Sequence, residues 1–77
     1  MKYRIHFVDV DDMQKFVTAI NRFGCDVNLY DDHKCIDAKS LIAVMNLDLR
    51  KKFWVEFVTD EEALIVEAQK IIKDLLV

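Results

Sequence analysis

Residues Lys2 to Val8 alternate, with Tyr3, Ile5 and Phe7 on one side and Arg4, His6 and Val8 on the other. A period of two predicts a half-buried strand, with His6 and Val8 on its open face. Beyond Val8 the period changes. Met13, Phe16, Val17, Ile20 and Phe23 recur at helical spacing, predicting one apolar stripe on a helix that ends at Gly24, a residue suited to a left-handed C-terminal cap. Asp9, Asp11 and Asp12 crowd the start of that helix, where carboxylates satisfy free N–H groups and suit the positive end of the helix dipole.

Alternation returns from Cys25 to Tyr30, and a short run from Lys34 to Asp37 folds back antiparallel. Two turns compete, Asp31-Asp32 and Asp32-His33. The second is preferred, because it sets Leu29 opposite Ile36 and Val27 opposite Ala38 with apolar partners on one face. In either register Cys25 and Cys35 fall on opposite faces of the sheet, so a mutual disulfide is excluded. Cys25 is expected in the core and Cys35 outside it. Lys39 to Leu47 predicts a short helix with Ser40 as N-cap, and Asn46 to Lys52 reads as a loop. Phe53 to Thr59 is a strand with Phe53, Val55 and Phe57 inward and Trp54, Glu56 and Val58 outward. Thr59-Asp60-Glu61-Glu62 reads as a capping box for a last helix, whose stripe of Leu64, Ile65, Ala68, Ile71, Ile72, Leu75 and Leu76 runs to the end of the sequence.

The order is β-α-β-β-α-β-α. Single-striped helices and alternating strands predict an open-faced α+β sandwich, a four-stranded antiparallel-rich sheet with three helices on one face. Residues 1–77 read as one domain, and the surface scaling for its mass gives roughly 4,900 Å² when folded. The single glycine and the lack of proline exclude Gly-rich phosphate loops and proline-rich ligands. A formal net charge of −3 supplies no field for a phosphate backbone, so nucleic acid is not an expected partner. The one basic run, Arg50-Lys51-Lys52, reads as a solvated loop. No apolar stretch approaches the ~20 residues of a membrane span, and a cytoplasmic location is expected.

Candidate chemistry is sparse. Asp9, Asp11 and Asp12 supply oxygen ligands of the kind a divalent cation takes, but such a cluster at a helix start serves first as caps. His6 and His33 have no evident acid or base partner, and Ser40 lacks a nucleophile-elbow setting. No enzyme activity, cofactor or metal is expected.

Asp26-Val27-Asn28-Leu29, followed by the stretch from Asp37 to Leu47 (DAKSLIAVMNL), resembles the second half of HPr, the histidine-containing phosphocarrier of the bacterial sugar phosphotransferase system. The resemblance implies that fold. It also implies a phospho-accepting histidine at the N-cap of the first helix and an arginine two residues on, but counting back without gaps places Asp9 and Asp11 in those slots and Asp12 in that of a proline. The phosphocarrier site therefore looks degenerate, and repulsion replaces attraction for an incoming phosphate. Ser40 falls where the family carries its regulatory serine, as in the histidine-lacking Crh branch, although Ala43 and Asp48 replace glycines around it.

The resemblance thus implies a regulatory, protein-binding module with Ser40 as a candidate phosphorylation site. HPr kinase or a transcriptional regulator would be its partner, and Lys39, Leu41, Val44, Met45 and Leu47 its candidate binding surface. The alternative is self-association or small-ligand binding on the outer sheet face, through Trp54, Tyr30, Val58, Val8 and His6.

Overall fold

The computed structural model describes residues 2–77. It contains β1 (Lys2–Ile5), α1 (Val10–Ile20), β2 (Asp26–Tyr30), β3 (Cys35–Asp37), α2 (Leu41–Met45), β4 (Phe53–Val58) and α3 (Glu62–Ile72). The strands form one antiparallel sheet in the order β1-β4-β2-β3. Alternation decides its two faces. Val27, Leu29, Phe53, Val55 and Phe57 are at most 1% exposed, whereas Trp54 and Val58 at alternate positions of β4 stand open. The helices cover the first face with Met13, Phe16, Val17 and Ile20 of α1, Val44 of α2, and Ala68 and Ile72 of α3. Rings interlock in this core, Phe7 meeting Phe16 edge-on at 5.3 Å and Phe23 meeting Phe57 at 5.6 Å. The accessible surface, 4938 Å², is what the chain's mass leads one to expect.

The hairpin takes the preferred register. Leu29 pairs with Ile36, Tyr30 with Cys35, and the Ala38 N–H donates to the Val27 carbonyl, leaving Asp32-His33 as the turn. Asp31 holds that turn by accepting the His33 and Lys34 N–H groups. Both cysteines are free, Cys25 packed against the core and Cys35 exposed.

Element ends depart from expectation, each for a local reason. β1 stops at Ile5 instead of Val8 because its partner strand ends there, Ile5 lying opposite Phe53. Gly24 is not a left-handed cap: no described residue has a positive φ. Asn21 closes α1 instead, its backbone N–H and its side-chain amide both donating to the Val17 carbonyl. The capping box is also absent. Thr59 Oγ1 accepts the Glu61 N–H, two residues on, and Glu61 stands as N-cap without a side-chain bond.

α3 ends at Ile72, and the chain turns back onto β1. The His6 N–H donates to Leu75, the Val77 N–H donates to Arg4, and Leu76 bridges Ile5. This turn satisfies backbone groups that the edge of β1 would otherwise present to water. It buries Leu75 and leaves Leu76 51% exposed.

Candidate functional site

Two helix starts carry the polar groups singled out by the sequence. At the first, Asp9 is extended (φ −151°, ψ 179°) and its carboxylate accepts the Asp12 N–H at 2.9 Å. The Asp12 carboxylate reaches back to the Val8 N–H at 3.0 Å. This reciprocal pair satisfies two backbone donors and sets negative charge on the positive end of α1. Asp11 turns outward to Lys15, 3.1 Å away, and raises the Lys15 pKa through that hydrogen bond. Each of the three carboxylates therefore has its own partner.

At the second start, Ser40 Oγ accepts the Ala43 N–H at 3.3 Å, capping the five-residue α2. Lys39 does not face Ser40. Its ammonium donates to the Phe23 carbonyl at 2.7 Å, and the Lys39 carbonyl accepts from the Asn21 side chain, so the α2 start is tied to the α1 end. His6 Nε2 lies 3.0 Å from the Leu49 carbonyl, so the chain beyond α2 returns to the strand leading into α1. The expectation of His6 on the open sheet face is thus corrected: β1 has ended, and its ring serves a loop carbonyl.

The candidate binding surface also divides. Val44 and Leu47 are core residues, 0% and 9% exposed, because a short helix must sink at least one side chain to stay attached. Leu41 and Met45 remain outside. Ile42 is the member that sequence reasoning left out, at 77% exposure. At about 100° per residue it lies roughly 160° from Val44, a signal readable once Val44 is known to point inward. Val8 and Val10, flanking Asp9, are exposed as well.

A family model described as the PTS HPr component phosphorylation site matches residues 12–75. This chain belongs to the HPr family. No curated protein and no solved structure matches it. The matched segment opens at Asp12, within the first turn of α1, so Asp9 and Asp11 precede it. It includes Ser40 and a single histidine, His33, which sits exposed in the β2–β3 turn.

In this HPr-family protein the outer sheet face has its own organisation. Arg4, Trp54, Tyr30 and Cys35 form one rung, and Lys2, Glu56, Asn28 and Asp37 the next. Val8 and His6 are not among them, since β1 ends before either residue. Arg4 lies over the Trp54 ring at 5.1 Å and Lys2 over the Tyr30 ring at 4.9 Å, favourable cation–π placements. The Tyr30 hydroxyl donates to Glu56, which pushes the phenol up to about 12 and holds the carboxyl below its usual range. Beside this face, Arg50 clasps Asp48 through Nε at 3.0 Å and Nη2 at 2.9 Å, drawing the Asp48 carboxyl down to about 2. No described helix is long and apolar enough to cross a membrane.

Proposed function

We propose that this HPr-family protein carries no phosphate on histidine, has no enzyme activity of its own, and works as a protein-binding regulatory module. One observation carries the reading: the Asp9 carboxylate occupies the N-cap of α1 and accepts the Asp12 N–H. In the family as the resemblance describes it, the phospho-accepting imidazole sits there, and helix N–H groups hold the phosphate. Here a built-in anion already uses that donor, and Asp11 and Asp12 add repulsion. A carboxylate also cannot form the phosphoramidate that defines the carrier. Incubation with phosphoenolpyruvate and enzyme I is expected to leave every histidine unlabelled. Label on His6 or His33 would overturn the proposal.

The regulatory branch rests on Ser40. Phosphate there adds about 1.5 to 2 negative charges at a helix N-terminus, where the dipole favours them. Leu41, Ile42 and Met45 stand exposed on the helix that follows, so one partner can read charge and apolar contact together. The kinase of the family's serine, and a transcriptional regulator that recognises the phosphoserine, are the partners this reading implies. Purified HPr kinase with ATP is expected to label wild type and spare Ser40→Ala. Equal absence of label on both removes this branch and leaves the loss of carrier chemistry as a separate question.

A further inference from the structure

The open sheet face is occupied unevenly. Around Tyr30 it is closed on itself, with Lys2 over the ring and Glu56 on the hydroxyl. Trp54, one rung away, remains 43% exposed, with the Arg4 guanidinium over its ring. The same Arg4 lines a cleft of about 280 Å³ together with Asp31, Asp32, Arg50, Lys51 and Lys52, and so links that cleft to the indole. Three chain segments meet there: β1, the β2–β3 turn and the loop entering β4. Lys52 immediately precedes β4, two residues from Trp54, and Asp32 stands in the turn that follows β2, two residues from Tyr30.

Some of these charges already have work. Asp31 accepts two turn N–H groups, and Arg50 is clasped by Asp48, which lies outside the cleft. None of the ion pairs among the described residues involves Arg4, Lys51, Lys52 or Asp32. The corner therefore offers a flat indole, three cations and one carboxylate within a small volume. Inorganic phosphate would use only the cations. A plain aromatic ring would use only the indole.

The geometry points to this corner as a binding site for a purine nucleoside monophosphate. Its base replaces the Arg4 guanidinium on the Trp54 ring, its phosphate takes Lys51, Lys52 and the displaced Arg4 side chain, and its sugar hydroxyls donate to Asp32. The cleft lies just below the usual ligand-site range of roughly 300–1,000 Å³, matching one small ligand only partly enclosed. A nucleic-acid strand fits less well, because its path along the face meets Glu56, Asp26 and Asp37. The inference is independent of the docking role proposed for α2.

Trp54 is the only tryptophan, so intrinsic fluorescence reads the site directly. Titration with AMP is expected to change its emission saturably, and amide NMR shifts are expected to move in residues 31–32 and 50–54. Adenosine and inorganic phosphate, tested alone, are each expected to bind at least about tenfold more weakly, since each forfeits a set of charged or stacking contacts. The exposed double variant Lys51→Ala/Lys52→Ala is expected to lose about tenfold in AMP affinity with its thermal melt unchanged. No saturable response to AMP by either readout overturns the proposal. So does binding of phosphate as tight as that of AMP, an unaffected lysine variant, or an oligoadenylate that binds more tightly per nucleotide than AMP.

Discussion

The two faces of the sheet share strands and register and differ in what holds them. On the helix side, Tyr3, Val55, Leu29 and Ile36 form one rung, and Phe57, Val27 and Ala38 the next. No polar residue is buried among the described residues, so this face is held by apolar area, with one side-chain bond at its exposed edge, from Gln69 Nε2 to the Tyr3 hydroxyl. On the open side the neighbouring positions carry Arg4 over Trp54, Lys2 over Tyr30, and Tyr30 on Glu56. Those contacts are directional, solvent-screened and worth little in stability. The same weakness lets them be exchanged for contacts with a ligand. Stability should therefore respond to the first face and binding to the second.

The sharpest way to break this comparison is Phe57→Ala. Phe57 is 1% exposed and touches both Tyr3 and Phe23, so its loss is expected to cost about 3–5 kcal/mol by chemical denaturation. A cost below about 1 kcal/mol, the size expected of an open-face pair, would show that burial does not dominate here. Val44→Ala comes next, at about 1.5–3 kcal/mol, with Ile42→Ala two residues away within about 0.5 kcal/mol of wild type. Equal effects would mean that α2 does not hold its observed rotation. Asp9→Ala removes the side-chain cap of α1 and is expected to cost about 1 kcal/mol, readable as a lower melting temperature.

The smallest stability effect belongs to the open face and is better read through pH. In a Tyr3→Phe background one phenol remains, and ultraviolet titration is expected to place its ionisation near about 12, not at the ordinary 10.0. Glu56→Gln is expected to bring it down toward the ordinary value. Because the Tyr30 pKa is raised and the Glu56 pKa lowered in the fold, the bond contributes fully between the ordinary carboxyl and phenol values, and is lost as pH rises through about 12 or falls through the depressed Glu56 range. A phenol that ionises at its ordinary pH despite Glu56 would show that the bond is not held in solution.

Most of the fold was legible from periodicity. Strand faces, helix stripes and the hairpin register all follow from which positions must be buried, and a one-residue slip would expose the whole apolar set. Both side-chain caps, Asp9 and Ser40, were legible because capping is chemistry within four residues. Helix and strand ends were not. Asn21 rather than Gly24 closes α1, and its amide also reaches the Lys39 carbonyl, eighteen positions away in sequence. The C-terminal turn depends on a vacant strand edge that no local pattern reveals. The candidate surface failed in part for a similar reason: a five-residue helix carries too few apolar positions to show which of them face the core, so Ile42 was missed and Val44 and Leu47 were misplaced.

The sequence by itself determined the element order, the sheet's inner face and the carboxylate at the start of α1, because period, volume and capping act locally. Only the tertiary structure decided how far β1 runs, which side of α2 is buried, and that Arg4 both covers Trp54 and lines a cleft with Asp32, Lys51 and Lys52. Those outcomes depend on strand pairing between residues about fifty positions apart. The cross-sheet neighbours of an exposed side chain are set by the strand order β1-β4-β2-β3, which the burial pattern of each segment leaves open.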